Sequence, residues 1–213
     1  MKYIITLMYT MLQGTVVTLE VFSITLIFSI VLGIIVALCR LSKIKPLSRA
    51  MELYIWVMRG TPLLLQLIFI FFGLPFIGII LDRLPAALIA FILNYGAYFG
   101  EIYRGGIESI DIGQHEAAQA LGFTPMKAFI WIIFPQAIKR TLAPVANEVI
   151  TLVKDTSLVY VVGLGELLRA GKIASNRDAS LVPLIVVGLF YLVLVGILTK
   201  IFKTFEKRFS YYQ

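Results

Sequence analysis

Glu148, Thr151 and Asp155 stand at i, i+3 and i+7 of an apolar-rich stretch, so on a helix they share one stripe. Leu152, at i+4, is the other residue that could fill the middle of that stripe. Charges deep in a bilayer cost at least about 2.5–3.5 kcal/mol each, so they face a pathway or a partner. Two carboxylates on one stripe can hold an α-ammonium group or a cationic side chain. Lys154 is close enough in sequence to neutralise a carboxylate or to bind an α-carboxylate. Asn94 and Glu101, seven residues apart on another apolar stretch, also share a face. The substrate-binding candidates are therefore Asn94, Glu101, Glu148, Thr151 and Asp155. Plainer readings exist for some of them. Glu148, Lys154 and Asp155 could form salt bridges at a subunit interface, Asp155-Thr156-Ser157 could cap a helix end, and Glu101 and Arg104 could satisfy each other one turn apart.

These residues need elements that cross a membrane. The chain has 213 residues, of which 60% are hydrophobic and 15% charged. A soluble domain of this size cannot hide so much apolar surface. The reading is a polytopic all-α membrane protein, a single transmembrane domain over residues 1–213. Five spans can be drawn, at about 15–39, 61–80, 85–108, 136–156 and 181–203, with a short helix at about 47–58. Gly73 and Pro75 predict a break in the second span, and Pro144, Asn147 and Glu148 make the fourth the most polar. The single Cys39 excludes an internal disulfide, and the lone His115 is a poor basis for a metal site, so no metal and no catalytic residue is expected.

Basic residues set the orientation. Arg40, Lys43, Lys45 and Arg49, then Lys127, Lys139 and Arg140, then Lys200, Lys203, Lys207 and Arg208 fall on one side, eleven against the five of Lys2, Arg83, Arg169, Lys172 and Arg177. The N-terminus is expected outside and the C-terminus inside. The net charge of +7 then reflects anchoring at the cytoplasmic face, not nucleic acid. Leu164 to Ala179 is expected outside, over the mouth of the bundle, and the aromatic and basic tail Phe205 to Gln213 suits an interfacial anchor.

Between the third and fourth spans, Glu116 to Pro135 predicts two short helices broken at Gly122. Gly122 is placed as a left-handed helix stop, and Thr124-Pro125 as an N-cap with proline at the first helical position. Such an elbow at the membrane surface is a shape that a partner protein can grip. Glu116 could pair with a partner cation, and Ala117, Ala118 and Ala120 are small enough for a groove to close around them.

The elbow resembles the "EAA" loop of the permease subunits of bacterial ABC importers. Glu116-Ala117-Ala118 leads to Gly122, and nine residues separate it from Ile132, with Phe134 and Pro135 following. Phe134 stands where that pattern prefers leucine. Tyr98 to Ile107, with Ser109-Ile110-Asp111, Gly113-Gln114 and Glu116-Ala117-Ala118, is similar to polar amino acid permeases, with Asp111 where proline is usual. Arg59 to Gln66 and Lys154 to Leu158 resemble two further signatures of that group.

The resemblance implies a MetI-like fold of five transmembrane helices plus a cytoplasmic coupling helix. It implies an ATPase-coupling role for Glu116, Ala117, Ala118 and Gly122, and an amino acid cargo, cationic by the carboxylate stripe or polar and neutral, as glutamine is. The nearest approach to a phosphate cradle, Gly165 to Lys172, has five residues between its glycines and Ile173 in place of Ser or Thr. This chain is therefore not expected to bind ATP itself, and the resemblance implies that ATP and magnesium are held by separate cytoplasmic ABC ATPase subunits and that this chain is non-catalytic. A second permease subunit, the same or similar, would complete the path, and an extracytoplasmic binding protein would deliver the cargo. A stand-alone secondary transporter would show inverted repeats or more spans.

Overall fold

The computed structural model describes residues 2–209, and among them every element is helical. Helix α1 runs over Lys2–Arg40 and α2 over Lys45–Gly60. Helix α3, Leu63–Ile68, passes into a π segment at Phe69–Gly73 and a 3-10 turn at Leu74–Ile77. Helix α4 spans Arg83–Glu108, and α5, Ile112–Ala120, opens the elbow. Helix α6, Pro125–Ala128, a π segment at Phe129–Ile133 and α7, Phe134–Asp155, follow one another without a break. A 3-10 stretch at Thr156–Val162, α8 at Leu167–Asp178 and α9 at Val182–Phe209 complete the chain.

Helix α1 is longer than the first expected span. The apolar run at Tyr3–Leu12 joins the segment beyond Gly14 in one helix of 39 residues, roughly 58 Å at 1.5 Å per residue. Gly14 does not break it. A Cβ there would lie 2.9 Å from the Leu167 Cα, so the missing side chain is what lets α8 lie against α1. Helix α4 is the centre of the bundle and packs most extensively on α1. Three glycines make that possible. A Cβ on Gly33 would meet the Phe99 Cβ at 2.6 Å, one on Gly96 the Leu32 Cδ2 at 2.6 Å, and one on Gly100 the Val36 Cγ1 at 2.6 Å. Lipid offers no hydrophobic drive for helix pairing, so such close approach supplies it through dispersion.

Among the described residues three helices, α1, α4 and α9, are long and apolar enough to cross a membrane by themselves. The second expected span is bent: α2 and Leu63–Ile77 meet at 102° and together qualify as a fourth crossing or as a re-entrant pair. Pro62 cannot continue the α2 hydrogen-bond ladder, which places the bend there. The expected break at Gly73 and Pro75 is the change from π to 3-10 geometry, closed by Gly78 at φ +83°. The fourth expected span corresponds to α7, which is too polar to pass as a crossing on apolarity alone. It carries Lys139, Arg140, Glu148, Lys154 and Asp155 and packs against α4 and α9. The elbow's second helix is not short either, since it continues through the π segment into α7. The aromatic tail is described only as far as Phe209, where it still belongs to α9, and the remainder of that expectation lies outside the described residues.

Helix α8 packs on α1 and α9 at the end opposite the elbow. Its N-cap is Glu166, fully buried, which accepts hydrogen bonds from the Leu168 and Arg169 amides at 2.6 and 2.7 Å and from the Tyr191 hydroxyl at 3.2 Å. The amides that would face a phosphate in the Gly165 to Lys172 stretch are thus occupied by the chain's own carboxylate.

Candidate functional site

The kink between α2 and α3 is held from two sides. Gln66 donates its Nε2 to the Met58 carbonyl (3.0 Å) and to the Thr61 hydroxyl (2.8 Å). Asn94, buried on α4, donates its Nδ2 to the same Met58 carbonyl (2.9 Å) and to the Gln66 Oε1 (3.1 Å). The carbonyl that Pro62 leaves without a helical donor is satisfied in this way. The bend then overlooks a cavity of about 470 Å³ between α2, α4 and α7. Its walls include Arg59, Thr61, Asn94, Tyr95, Tyr98, Glu148, Thr151 and Asp155.

Four of the five sequence candidates, Asn94, Glu148, Thr151 and Asp155, line this one cavity. Thr151, not Leu152, faces it, and Leu152 is fully buried in the apolar core with Phe91, Tyr95 and Val153. Asn94 reaches the wall, but its amide nitrogen is committed to the bend. Asp155 does not cap the end of α7. Its Oδ2 accepts a hydrogen bond from the Tyr95 hydroxyl at 2.7 Å, and the next helical stretch starts without a side-chain cap. Among the described residues, neither Glu148 nor Asp155 is in an ion pair within the chain.

Glu101 lies elsewhere. Seven residues on a helix advance about 10.5 Å along the axis, and this carries it past the bend. It lines a separate cavity with Arg40, Glu52, Trp56 and Arg104. There it accepts two hydrogen bonds from Arg104, at 2.9 and 2.6 Å, and Arg104 also pairs with Glu108. The mutual satisfaction of Glu101 and Arg104 is the reading that the geometry favours. Lys154 is exposed and does not line the carboxylate cavity. The cation that does is Arg59, whose guanidinium lies 5.1 Å over the Tyr98 ring. Sequence reasoning had Arg59 only within a signature. Its position just before Gly60-Thr61-Pro62, where a helix must end, was the available signal.

At the elbow, Gly122 has φ +78°. The Phe123 amide bonds to the Ala118 carbonyl (3.0 Å) and the Gly122 amide to the Gln119 carbonyl (2.9 Å), the paired closure that a left-handed glycine permits. Thr124 accepts from the Lys127 amide at 3.4 Å, and Asp111 starts α5 by accepting from the Gly113 amide at 2.7 Å. Glu116 and Ala117 are exposed, whereas Ala118 is buried on α5, a helix that packs against α6 and the π segment after it. Leu121, Met126 and Trp131 add exposed apolar side chains, at 76%, 67% and 72% exposure. Gln136 on α7 donates to Gln114 on α5 at 3.1 Å, and Arg140 donates to the Ser109 carbonyl, which ties the elbow to α7.

Residues 29–211 match the family described as binding-protein-dependent transport system inner membrane component. The chain is 42% identical to the arginine transport system permease protein ArtQ of Bacillus subtilis, over 92% of this chain and 91% of that one. It is 38% identical to the L-cystine transport system permease protein TcyB of the same organism, over 93% and 86%. Against the putative glutamine transport system permease protein GlnP of Rickettsia conorii the identity is 36%, over 94% and 93%. The crystal structure of an amino acid ABC transporter with histidines superposes with a TM-score of 0.91 at 34% identity, covering 97% of each chain. The inward-facing MetNI methionine ABC transporter superposes with a TM-score of 0.76 at 20% identity, over 95% and 97%, and shares the fold. A bent α2–α3 pair, an elbow closed on a left-handed glycine and a match along nearly the whole chain lead to one conclusion: the chain belongs to the family of binding-protein-dependent transport system inner membrane components and is an amino acid ABC transporter permease subunit.

Proposed function

We propose that this permease forms part of the translocation path of an importer for cationic amino acids. The observation that carries the reading is the charge of the cavity. Glu148 and Asp155 face it with Arg59 as the cation in its wall, an excess of one negative charge. In a low-dielectric setting an uncompensated charge is costly. A cationic amino acid brings one net positive charge and removes the excess. A relative named for arginine transport, 42% identical, points the same way. The second reading is a polar neutral cargo such as glutamine. It is favoured by the Tyr95 hydroxyl, which already satisfies one oxygen of Asp155, and by relatives named for glutamine.

The assembly that suits this role has a second permease, the same or similar, completing the path, and two elbows gripped by cytoplasmic ATPase subunits that hold ATP and magnesium. The N-terminus lies outside and the C-terminus inside, as the basic residues favour. An external binding protein delivers cargo to the outer side. Closure of the ATPases would draw the elbows together and swing the attached helices between inward and outward states. Glu148 and Asp155 would move with the elbow, because α6, the π segment and α7 are continuous.

The test is uptake by proteoliposomes holding permease, ATPase and binding protein. Glu148→Gln keeps shape and removes charge. It should lower arginine uptake about tenfold and glutamine uptake far less. Equal uptake of both cargoes by the variant and the wild type, in a normally assembled complex, assigns Glu148 to an interface salt bridge instead.

A further inference from the structure

The carboxylate cavity and the neighbouring cavity that holds Glu101 share two wall residues, Arg59 and Gly60. Arg59 differs from the cations around it. Arg40 is paired with Glu52 at 3.1 Å, and Arg104 with Glu101 at 2.6 Å. Among the described residues Arg59 is in no ion pair, and it is the only cation lining the carboxylate cavity. Its guanidinium lies over the Tyr98 ring at 5.1 Å, and no carboxylate among the described residues pairs with its N–H fork.

We propose that Arg59 is a specificity-determining residue that binds the α-carboxylate of the cargo, so that the permease itself reads an α-amino acid and not merely a cation. The assignment rests on the cationic amino acid reading of the cavity. With Arg59 on the α-carboxylate, Glu148 and Asp155 remain for the α-ammonium group and the side-chain cation, and three positive charges meet three negative ones. A guanidinium suits this task because its planar fork matches a carboxylate through two parallel hydrogen bonds. The bend at Thr61-Pro62, pinned by Gln66 and Asn94, sets where α2 ends and so where the fork sits relative to α7. A cargo that carries both cations and no carboxylate would still satisfy Glu148 and Asp155 and would leave only Arg59 without its partner.

The experiment uses the purified permease–ATPase complex without a binding protein, so that only the permease selects. The probes are L-arginine and agmatine, which has the same guanidinium side chain and no carboxylate. Wild type should bind L-arginine about tenfold or more tighter than agmatine. Arg59→Gln should bring the two affinities within about twofold, by weakening L-arginine and sparing agmatine. An unchanged gap in an Arg59→Gln complex that still copurifies with its ATPase overturns the assignment, as does a wild type that binds both probes equally. If Arg59→Gln does not assemble, Arg59→Lys carries the test, since it keeps the charge and loses the fork. A narrowed gap supports the proposal and an unchanged gap overturns it. Glu148→Gln separates this inference from the reading beneath it. Arginine affinity that ignores Glu148→Gln defeats the cationic reading, whereas affinity that depends on Glu148 with a gap indifferent to Arg59 defeats only the carboxylate assignment.

Discussion

Tyr95 on α4 donates its hydroxyl to the Asp155 carboxylate on α7 at 2.7 Å, and this bond fastens the central helix to the helix that continues from the elbow. It sits at the rim between the apolar core and the cavity, because Tyr95 is nearly fully buried while Asp155 reaches the cavity wall. Hydrogen bonds to charged groups contribute about 1.5–3 kcal/mol. Tyr95→Phe should therefore lower the thermal stability of the detergent-purified complex and weaken cargo binding several-fold. Unchanged melting and unchanged affinity would show that the bond carries neither role.

Gly122 is the elbow's left-handed residue, and nothing crowds the position of its missing Cβ, so its constraint is the backbone angle alone. Gly122→Val should strain the turn by about 1–2 kcal/mol, and Gly122→Asn by less, because asparagine tolerates that region. Copurification of the ATPase and coupled transport should fall in the order glycine, asparagine, valine. Equal ATPase recovery in the wild type and both variants would separate the turn from coupling.

The α1–α4 contact offers a graded test of close packing. On Gly33 a new Cβ meets the Phe99 Cβ and the Gly100 backbone nitrogen, neither of which can move freely. On Gly96 it meets the Leu32 side chain at Cδ2 and Cγ, atoms that a change of rotamer can move. Gly33→Ala should destabilise by about 1–3 kcal/mol and Gly96→Ala by less. Thermal unfolding of both variants decides the order, and the reverse ranking would contradict the packing described.

Glu101 is satisfied by Arg104 in a cavity apart from the carboxylate stripe. Glu101→Gln should leave the ranking of competing amino acids unchanged in an uptake assay, even if assembly weakens. A changed ranking would return Glu101 to the cargo site.

A reporter after Gln213 should read cytoplasmic, and one inserted between Ala179 and Ser180, at the exposed end of α8, should read external. The opposite pattern would show that the basic residues do not set the orientation.

Local chemistry alone determined much of this protein. The elbow is legible in sequence because a left-handed glycine and a threonine–proline start act through neighbours a few residues away. The stripe of Glu148, Thr151 and Asp155 is legible because helical periodicity needs no tertiary partner. The glycines of α1 and α4 could be seen, but not which helix each one would meet. Tertiary structure decided what those faces enclose. Asn94 and Glu101 share a helical face in sequence, yet the α2–α3 bend sends one to the carboxylate cavity and the other to a cavity beside Arg104. Lys154 is adjacent to Asp155 in the chain and turned away from the cavity, whereas Arg59, almost a hundred residues earlier, lines it. Sequence spacing fixes which side chains share a face of one helix. Which faces meet depends on how closely the backbones approach and on where a proline bends the chain, and those are set by contacts between residues far apart in sequence.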